Sequence, residues 1–340
     1  MKVRIFAFSR QGCRTAEKTA LFFKDDEPTL YTVERLLCAG FELMTKPYPA
    51  FFEKVFNDSD ILVFIGSCGI AVRKIAPFVR SKKTDPAVVV IDELAHFSIS
   101  LLSGHIGGAN RLALDLADYL GAEPVITTAT DINHRFSADA WAARYGYAIS
   151  DMNAAKAVSA AILEGDVPFC ADLPSEDLKL PAGLVYGHEG ETGIYFGYKI
   201  NKPFDKTMRI IPQMIRLGIG CRKGIAKEAV AEAVNSVLAD NLIDKRSVFG
   251  ICSIDLKAEE PGLIEFCREN GWNLQCYSAD ELNSLEGDFS GSSFVQSVTG
   301  ADNVCERSAL MEADELIIKK TAVNGVTVAA AVKYPEVSFE

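Results

Sequence analysis

The densest run of reactive side chains lies between residues 92 and 110. Asp92-Glu93 is followed by Ser103-Gly104-His105-Ile106-Gly107-Gly108-Ala109-Asn110. An imidazole titrates near pH 6.5 when unperturbed, so it exchanges protons at neutral pH with little tuning. His105 is therefore the candidate general base, with Glu93 or Asp92 as the carboxylate that orients or assists it. Gly107 and Gly108 lack a Cβ and let a ligand approach the N–H groups of a helix start, which suits an oxyanion or a substrate carboxylate. Ser103, Gly104 and Asn110 complete the expected polar lining. For the glycines alone, a tight turn with a helix-capping network explains the pattern better. For His, Ser, Asn, Asp and Glu crowded at strand ends, chemistry explains it better.

Other constellations are looser. Thr127-Thr128-Ala129-Thr130-Asp131 ends a strand-like run. Thr127, Thr128 and Asp131 suit ligand contacts and suit a helix N-cap equally well. Gly218-Ile219-Gly220-Cys221-Arg222-Lys223-Gly224 has the spacing Gly-x-Gly-x-x-x-Gly and two cations, which departs from a dinucleotide fingerprint. It reads as a basic, Gly-rich anion loop contributing Gly220 and Arg222. Lys257 follows the next strand end, and Glu306 stands three residues after Asn303 in a capping-box pattern. Gly66-Ser67-Cys68-Gly69 matches neither a P-loop nor a nucleophile elbow. His96, His134 and His188 have no ligand spacing, so no protein metal site is expected.

Elements must position these groups. Val3–Phe8, Asp60–Ser67, Ala87–Asp92, Phe97–Leu102 and Pro124–Thr128 read as strands, with helices at 15–24, 70–79 and 109–120. Strand–helix alternation predicts a parallel α/β sheet, and strand ends are where such sheets place ligand groups. From Gly165 to about Pro212 short β runs are broken by Gly and Pro. Alternation then resumes through Ile215–Gly220, Lys227–Ala239, Val248–Ile254, 262–270, 273–276 and 279–285. It ends in a hairpin turning at Asn324-Gly325. The expected fold class is thus α/β: two α/β domains with mainly parallel sheets (1–130 and 213–340), joined by a smaller mixed α+β middle domain or hinge at 131–212.

Composition limits the function classes. The chain has 340 residues, 49% hydrophobic and 24% charged, as a globular protein of two or three domains does. Its net charge of −11 excludes a globally basic nucleic-acid binder. No apolar run approaches the roughly 20 residues of a membrane span, and the N-terminus reads as a first strand, not a signal peptide. Nine cysteines without a Cys-x-x-Cys pair fit a reducing cytoplasm.

Four segments in combination resemble the cobalt-precorrin-5A hydrolase family (CbiG) of anaerobic cobalamin biosynthesis: Gly69–Pro77, Asp85–Glu93, Leu101–Asn110 and Pro124–Asp131. Gly218–Arg222, Ser253–Lys257 with Glu260, and Val304–Glu306 resemble its C-terminal domain. The likeness spans about residues 60–335. Ser67-Cys68 and Asn133-His134 depart from the family pattern and leave Cys68 and His134 without a role. The resemblance implies a hydrolase that opens the δ-lactone of a cobalt-containing, ring-contracted tetrapyrrole and releases acetaldehyde. It implies that cobalt arrives with the substrate and that no separate cofactor is needed. The expected partner is this cobalt-corrinoid, with neither nucleic acid nor membrane; a homodimer or transient contact with neighbouring pathway enzymes stays open.

Two other readings compete. A non-catalytic corrinoid carrier or pathway scaffold would use the same anion loops. A serine or cysteine hydrolase would use Ser103 or Cys68 as nucleophile.

Overall fold

Ile61–Ile65 and Ala87–Ile91 are apolar and buried at every position, as in strands covered by helices on both faces of their sheet. The computed structural model describes residues 1–26, 28–81, 84–174 and 178–339. The chain divides into two units, Met1–Arg144 and Tyr145–Glu340. Its class is mixed α/β, with three sheets in which most strand pairs are parallel; the last sheet has two parallel and two antiparallel pairs.

The first unit contains β1 (Val3–Ala7), β2 (Thr29–Thr32), β3 (Phe41–Leu43), β4 (Ile61–Ile65), β5 (Ala87–Ile91), β6 (Phe97–Leu102) and β7 (Glu123–Val125). Its helices are α1 (Arg10–Phe22), α2 (Tyr48–Asn57), α3 (Cys68–Ile75), α4 (Ala109–Leu120), α5 (Ala129–Ile132) and α6 (Ala138–Arg144). The sheet order is β3-β2-β1-β4-β5-β6-β7. Alternate residues face opposite ways: Ile5, Val63 and Val89 pack with Ala16 of α1 and Leu116 of α4, while Phe6, Phe64 and Val90 pack with Phe52 of α2 and Ile75 of α3. Each of these Ile, Val, Leu and Phe side chains contributes about 1.5–3 kcal/mol when fully buried. α4 spans the residues its apolar stripe predicts and stops at Gly121, whose φ of 70° closes the helix.

One strand breaks the parallel pattern. β6 is antiparallel to β5 and parallel to β7. The chain therefore leaves β6 beside the start of β5, where the Ser103 hydroxyl donates to the Asp85 carbonyl at 3.1 Å. Asp92 and Glu93 leave β5 at the other edge of the sheet.

The second unit holds two sheets. One contains β8 (Ala148–Ile149), β9 (Val167–Ala171), β10 (Leu184–Tyr186), β11 (Thr192–Phe196) and β12 (Lys206–Ile211) in the order β10-β9-β11-β12-β8, with α7 (Met152–Glu164) against it. β8 is its antiparallel member. The other contains β13 (Ile215–Cys221), β14 (Val248–Ile254), β15 (Asn273–Tyr277), β16 (Glu315–Val323) and β17 (Val326–Val332) in the order β15-β14-β13-β17-β16. Its helices are α8 (Lys227–Asp240), α9 (Pro261–Asn270), α10 (Ala279–Asn283), α11 (Ser293–Thr299) and α12 (Cys305–Leu310). The predicted hairpin forms, with φ of 48° at Asn324 and 84° at Gly325. A buried ion pair, Arg209 Nη1 to Asp244 Oδ2 at 3.0 Å, and a bridge between Lys199 and Ile243 tie the two sheets together. Of the segment 131–212, residues 131–144 lie in the first unit and β8 to β12 in the second. Among the described residues no helix is long and apolar enough to cross a membrane.

α12 lies so close to β13 that a Cβ on Gly218 would come within 1.8 Å of the Cys305 carbonyl oxygen. Gly218→Ala is expected to cost about 2 kcal/mol or more, in the upper range for overpacking. The check is a lowered urea midpoint with an unchanged m-value; a wild-type midpoint would show that α12 can retreat freely.

Candidate functional site

The turn after β6 and the turn after β7 meet around one ring. His105 Nε2 lies 2.9 Å from Asp131 Oδ2 and 3.1 Å from Thr130 Oγ1, and its Nδ1 lies 3.5 Å from Asp139 Oδ1. The His105 side chain is 17% exposed, Asp131 38% and Asp139 3%. Asp139 Oδ1 also accepts from Ser137 Oγ and from the Ala140 N–H. Burial lowers the pKa of the ring, but hydrogen bonds and charge from Asp139 and Asp131 outweigh it and hold the pKa above 6.5. With a carboxylate at each nitrogen, the ring is best satisfied as an imidazolium donating from both sides.

Asn110 knits the two turns together. Its Nδ2 donates to Thr128 Oγ1 at 2.9 Å and to Asp131 Oδ2 at 3.0 Å, while its Oδ1 accepts from Ser100 Oγ at 2.7 Å. Gly104 is required here, because an added Cβ would meet Asn110 Oδ1 at 2.5 Å. The N–H groups at the start of α4 are already engaged: Gly108 donates to the His105 carbonyl, Ala109 to that of Ser103 and Asn110 to that of Gly104. They close the turn on itself, so Gly108 offers no free N–H to an oxyanion. Gly107 packs beside Ser103.

The remaining expected residues fall into three places. Asp92 accepts from the Leu94 and Phe97 N–H groups and holds the β5–β6 loop. Glu93 accepts from Ser9 Oγ, the N-cap of α1, and its carbonyl accepts from Thr15 Oγ1. Neither touches His105; the carboxylates that do are Asp131 and Asp139, because the reversed β6 carries the ring to the far edge. Ser103 is buried, with its hydroxyl on the Asp85 carbonyl rather than on the imidazole, so no Ser–His nucleophile pair forms. Thr127 is exposed.

Gly220, Arg222 and Lys257 line a pocket of about 920 Å³ in the second unit, together with Phe294, Val298 and Lys320. Lys257 Nζ pairs with Glu260 Oε2 at 3.1 Å, and Glu260 Oε1 accepts the Gly224 N–H at 2.8 Å. Glu306 is fully buried behind it, its carboxylate taken up by the Ser290 and Lys320 N–H groups. Asn303 forms its half of the expected cap by accepting the Glu306 N–H, but Glu306 does not return the bond. Desolvation raises the pKa of the Cys221 thiol in this pocket, which disfavours a thiolate nucleophile. Residues missed in the sequence are Asp139, Ser100 and the apolar pair Phe294 and Val298.

Comparison with known proteins agrees with the resemblance. The family described as Cobalamin synthesis G N-terminal matches residues 50–131, and that described as Cobalamin synthesis G C-terminus matches residues 215–331. A cobalt-precorrin-5A hydrolase of Salmonella typhimurium is 31% identical over 98% of this chain and 98% of its own. That of Priestia megaterium is 32% identical over 82% of this chain and 79% of its own. The solved structure of CobE, a protein from the cobalamin (vitamin B12) biosynthetic pathway, is 25% identical with a TM-score of 0.35, over 37% of this chain and 95% of CobE. With near-full-length identity to one such hydrolase and both halves matched, the chain belongs to the cobalt-precorrin-5A hydrolase family of cobalamin biosynthesis.

Proposed function

We propose that this enzyme opens the δ-lactone of cobalt-precorrin-5A and releases a two-carbon unit as acetaldehyde, giving cobalt-precorrin-5B. The observation that carries the reading is the 31% identity over 98% of the chain to a hydrolase of that name. The cobalt is the substrate's own, and no resident cofactor is invoked.

The chemistry balances in two stages. Water adds to the lactone carbonyl and the ester C–O bond breaks, leaving a carboxylate and a hydroxyl on the two-carbon branch. That hydroxyl then loses its proton, the C–C bond breaks, acetaldehyde departs, and the electron pair passes into the conjugated macrocycle, where a proton is returned. Both stages need a group that gives and takes a proton near neutral pH. The His105–Asp131 pair has that capacity, with the imidazolium as donor and the more exposed Asp131 as the route to substrate. Asp139 and Thr130 hold the ring. In this reading Asp131 and Asp139 take the assisting role, and Asp92 and Glu93 stand outside the relay. In the first unit the exposed Thr127 and the half-buried Thr128 are the candidate substrate contacts, while Asn110, with both ends of its amide engaged, holds the turns. In the second unit Gly220, Arg222 and Lys257 line the pocket and are candidate contacts of their own.

His105→Asn keeps hydrogen bonding and removes proton exchange. Acetaldehyde release from cobalt-precorrin-5A should fall by about a hundredfold or more. Near-wild-type release would make the ring structural, and a wild-type chain that binds the substrate without releasing acetaldehyde would be a carrier.

The raised pKa of His105 also sets a sign for stability. The ring's contribution is fully present below the unfolded value of about 6.5 and is lost as pH rises through the higher folded value. The gap in melting temperature between wild type and His105→Asn should therefore be widest in mild acid and shrink towards alkaline pH. A gap independent of pH would mean that the ring is not charged in the fold.

Asp139→Asn removes the buried carboxylate and should lower the pKa of the ring, which NMR titration of the imidazole reads directly. An unchanged titration would leave Asp131 as its sole electrostatic partner.

A further inference from the structure

The pocket in the second unit has a composition that proton transfer at His105 does not require. The chain carries a net charge of −11, yet Arg222, Lys223 and Lys320 all line this pocket and have no ion-pair partner among the described residues. Lys257 is the paired cation, and its partner Glu260 also holds the Gly224 N–H. That contact pins the turn from which Arg222 and Lys223 project.

The apolar lining is equally unusual. α11 buries none of its residues. Phe294 is 75% exposed, Val298 61% and Leu256 62%, and all three line the same pocket. Converging exposed hydrophobic side chains mark a surface kept for a ligand. The volume of about 920 Å³ is near the top of the range of roughly 300–1,000 Å³ for small-molecule sites. A phosphate ligand would seek free backbone N–H groups in the Gly-rich turn, and Glu260 already occupies that of Gly224. Scattered cations around apolar side chains fit a broad, flat ligand with carboxylates along its rim.

We infer that this pocket holds the macrocycle of a carboxylate-fringed cobalt tetrapyrrole, with its ring face on Phe294, Val298 and Leu256 and its rim carboxylates on Arg222, Lys223 and Lys320. The inference rests on the reading of the chain as a hydrolase of such a substrate, and it adds the apolar face, Lys223 and Lys320 to the binding residues. It also explains why α11 leaves a phenyl ring in water: the ligand covers it.

The test is calorimetric titration of the full-length chain with two cobalt corrins. Cobyrinic acid has free rim carboxylates; cobinamide has the same ring with those carboxylates amidated. Cobyrinic acid should bind the wild type with an affinity that falls as salt rises. Arg222→Gln and Lys320→Gln should each weaken it roughly tenfold and flatten its salt dependence, while leaving cobinamide binding unchanged. Phe294→Ser, at a site exposed enough to keep the fold intact, should weaken both ligands. Wild-type affinity for cobyrinic acid in all three variants, or no binding to the wild type, would overturn the inference. Acetaldehyde release separates it from the reading it rests on. Affinity lost in the variants of a chain that releases no acetaldehyde supports the pocket and sinks the hydrolase. Normal release with unchanged KM in every variant overturns the pocket and leaves the hydrolase standing.

Discussion

Because β6 runs antiparallel to β5 and parallel to β7, β6 and β7 open onto the same edge of the first sheet, opposite the edge where β1, β4 and β5 end. Every polar contact around His105 follows from this. The turn from 103 to 110 and the turn from 127 to 131 meet only because two adjacent parallel strands deliver them side by side. α6 then brings Asp139 under the ring. A carboxylate buried as deeply as Asp139 is costly unless it is paired and hydrogen-bonded. The imidazolium, the Ser137 hydroxyl and the Ala140 N–H meet that need.

The network is closed as well as charged. Asn110 has both ends of its amide occupied, and the α4 start has its N–H groups turned back on the preceding loop. Hydrogen bonds linked in this way stiffen one another in a partly dry setting. The ring is therefore fixed before any substrate arrives, which is the condition for electrostatic help that needs no rearrangement at the moment of reaction. Asp131 is the one member of the trio with substantial exposure.

Much of this was legible in the residues, and the failures have physical causes. His105, Asn110, Thr128 and Asp131 stood out by type and spacing, and they do come together. Asp92 and Glu93 were assigned to the same site on the assumption that all strand ends share one edge. Hydrophobic runs give the length of a strand but not its direction. A usable signal existed: only residues 92–96 separate β5 from β6, whereas a parallel crossover needs about a dozen or more. Asp139 was hidden by its apolar neighbours Ala138 and Trp141, though a carboxylate on the buried stripe of a helix is itself a hint. Glu306 looked like half of a capping box. Its side chain turned away because the Ser290 and Lys320 N–H groups, distant in sequence, needed an acceptor. Phe294 and Val298 sat in a Ser- and Gly-rich stretch that pattern reading passes over.

The His105 cluster is also compact along the chain. Asp131 and Asp139 follow the histidine by 26 and 34 residues, and Ser100 and Asn110 lie within ten residues of it. The entropy of closing a loop grows only slowly with its length, and folding is faster where contacts are local. During synthesis, all the ring's partners have been added to the chain before the first residue of β8. The reactive cluster can therefore take shape while most of the second unit is still untranslated, and mutations there would act first on an early folding step of the nascent chain.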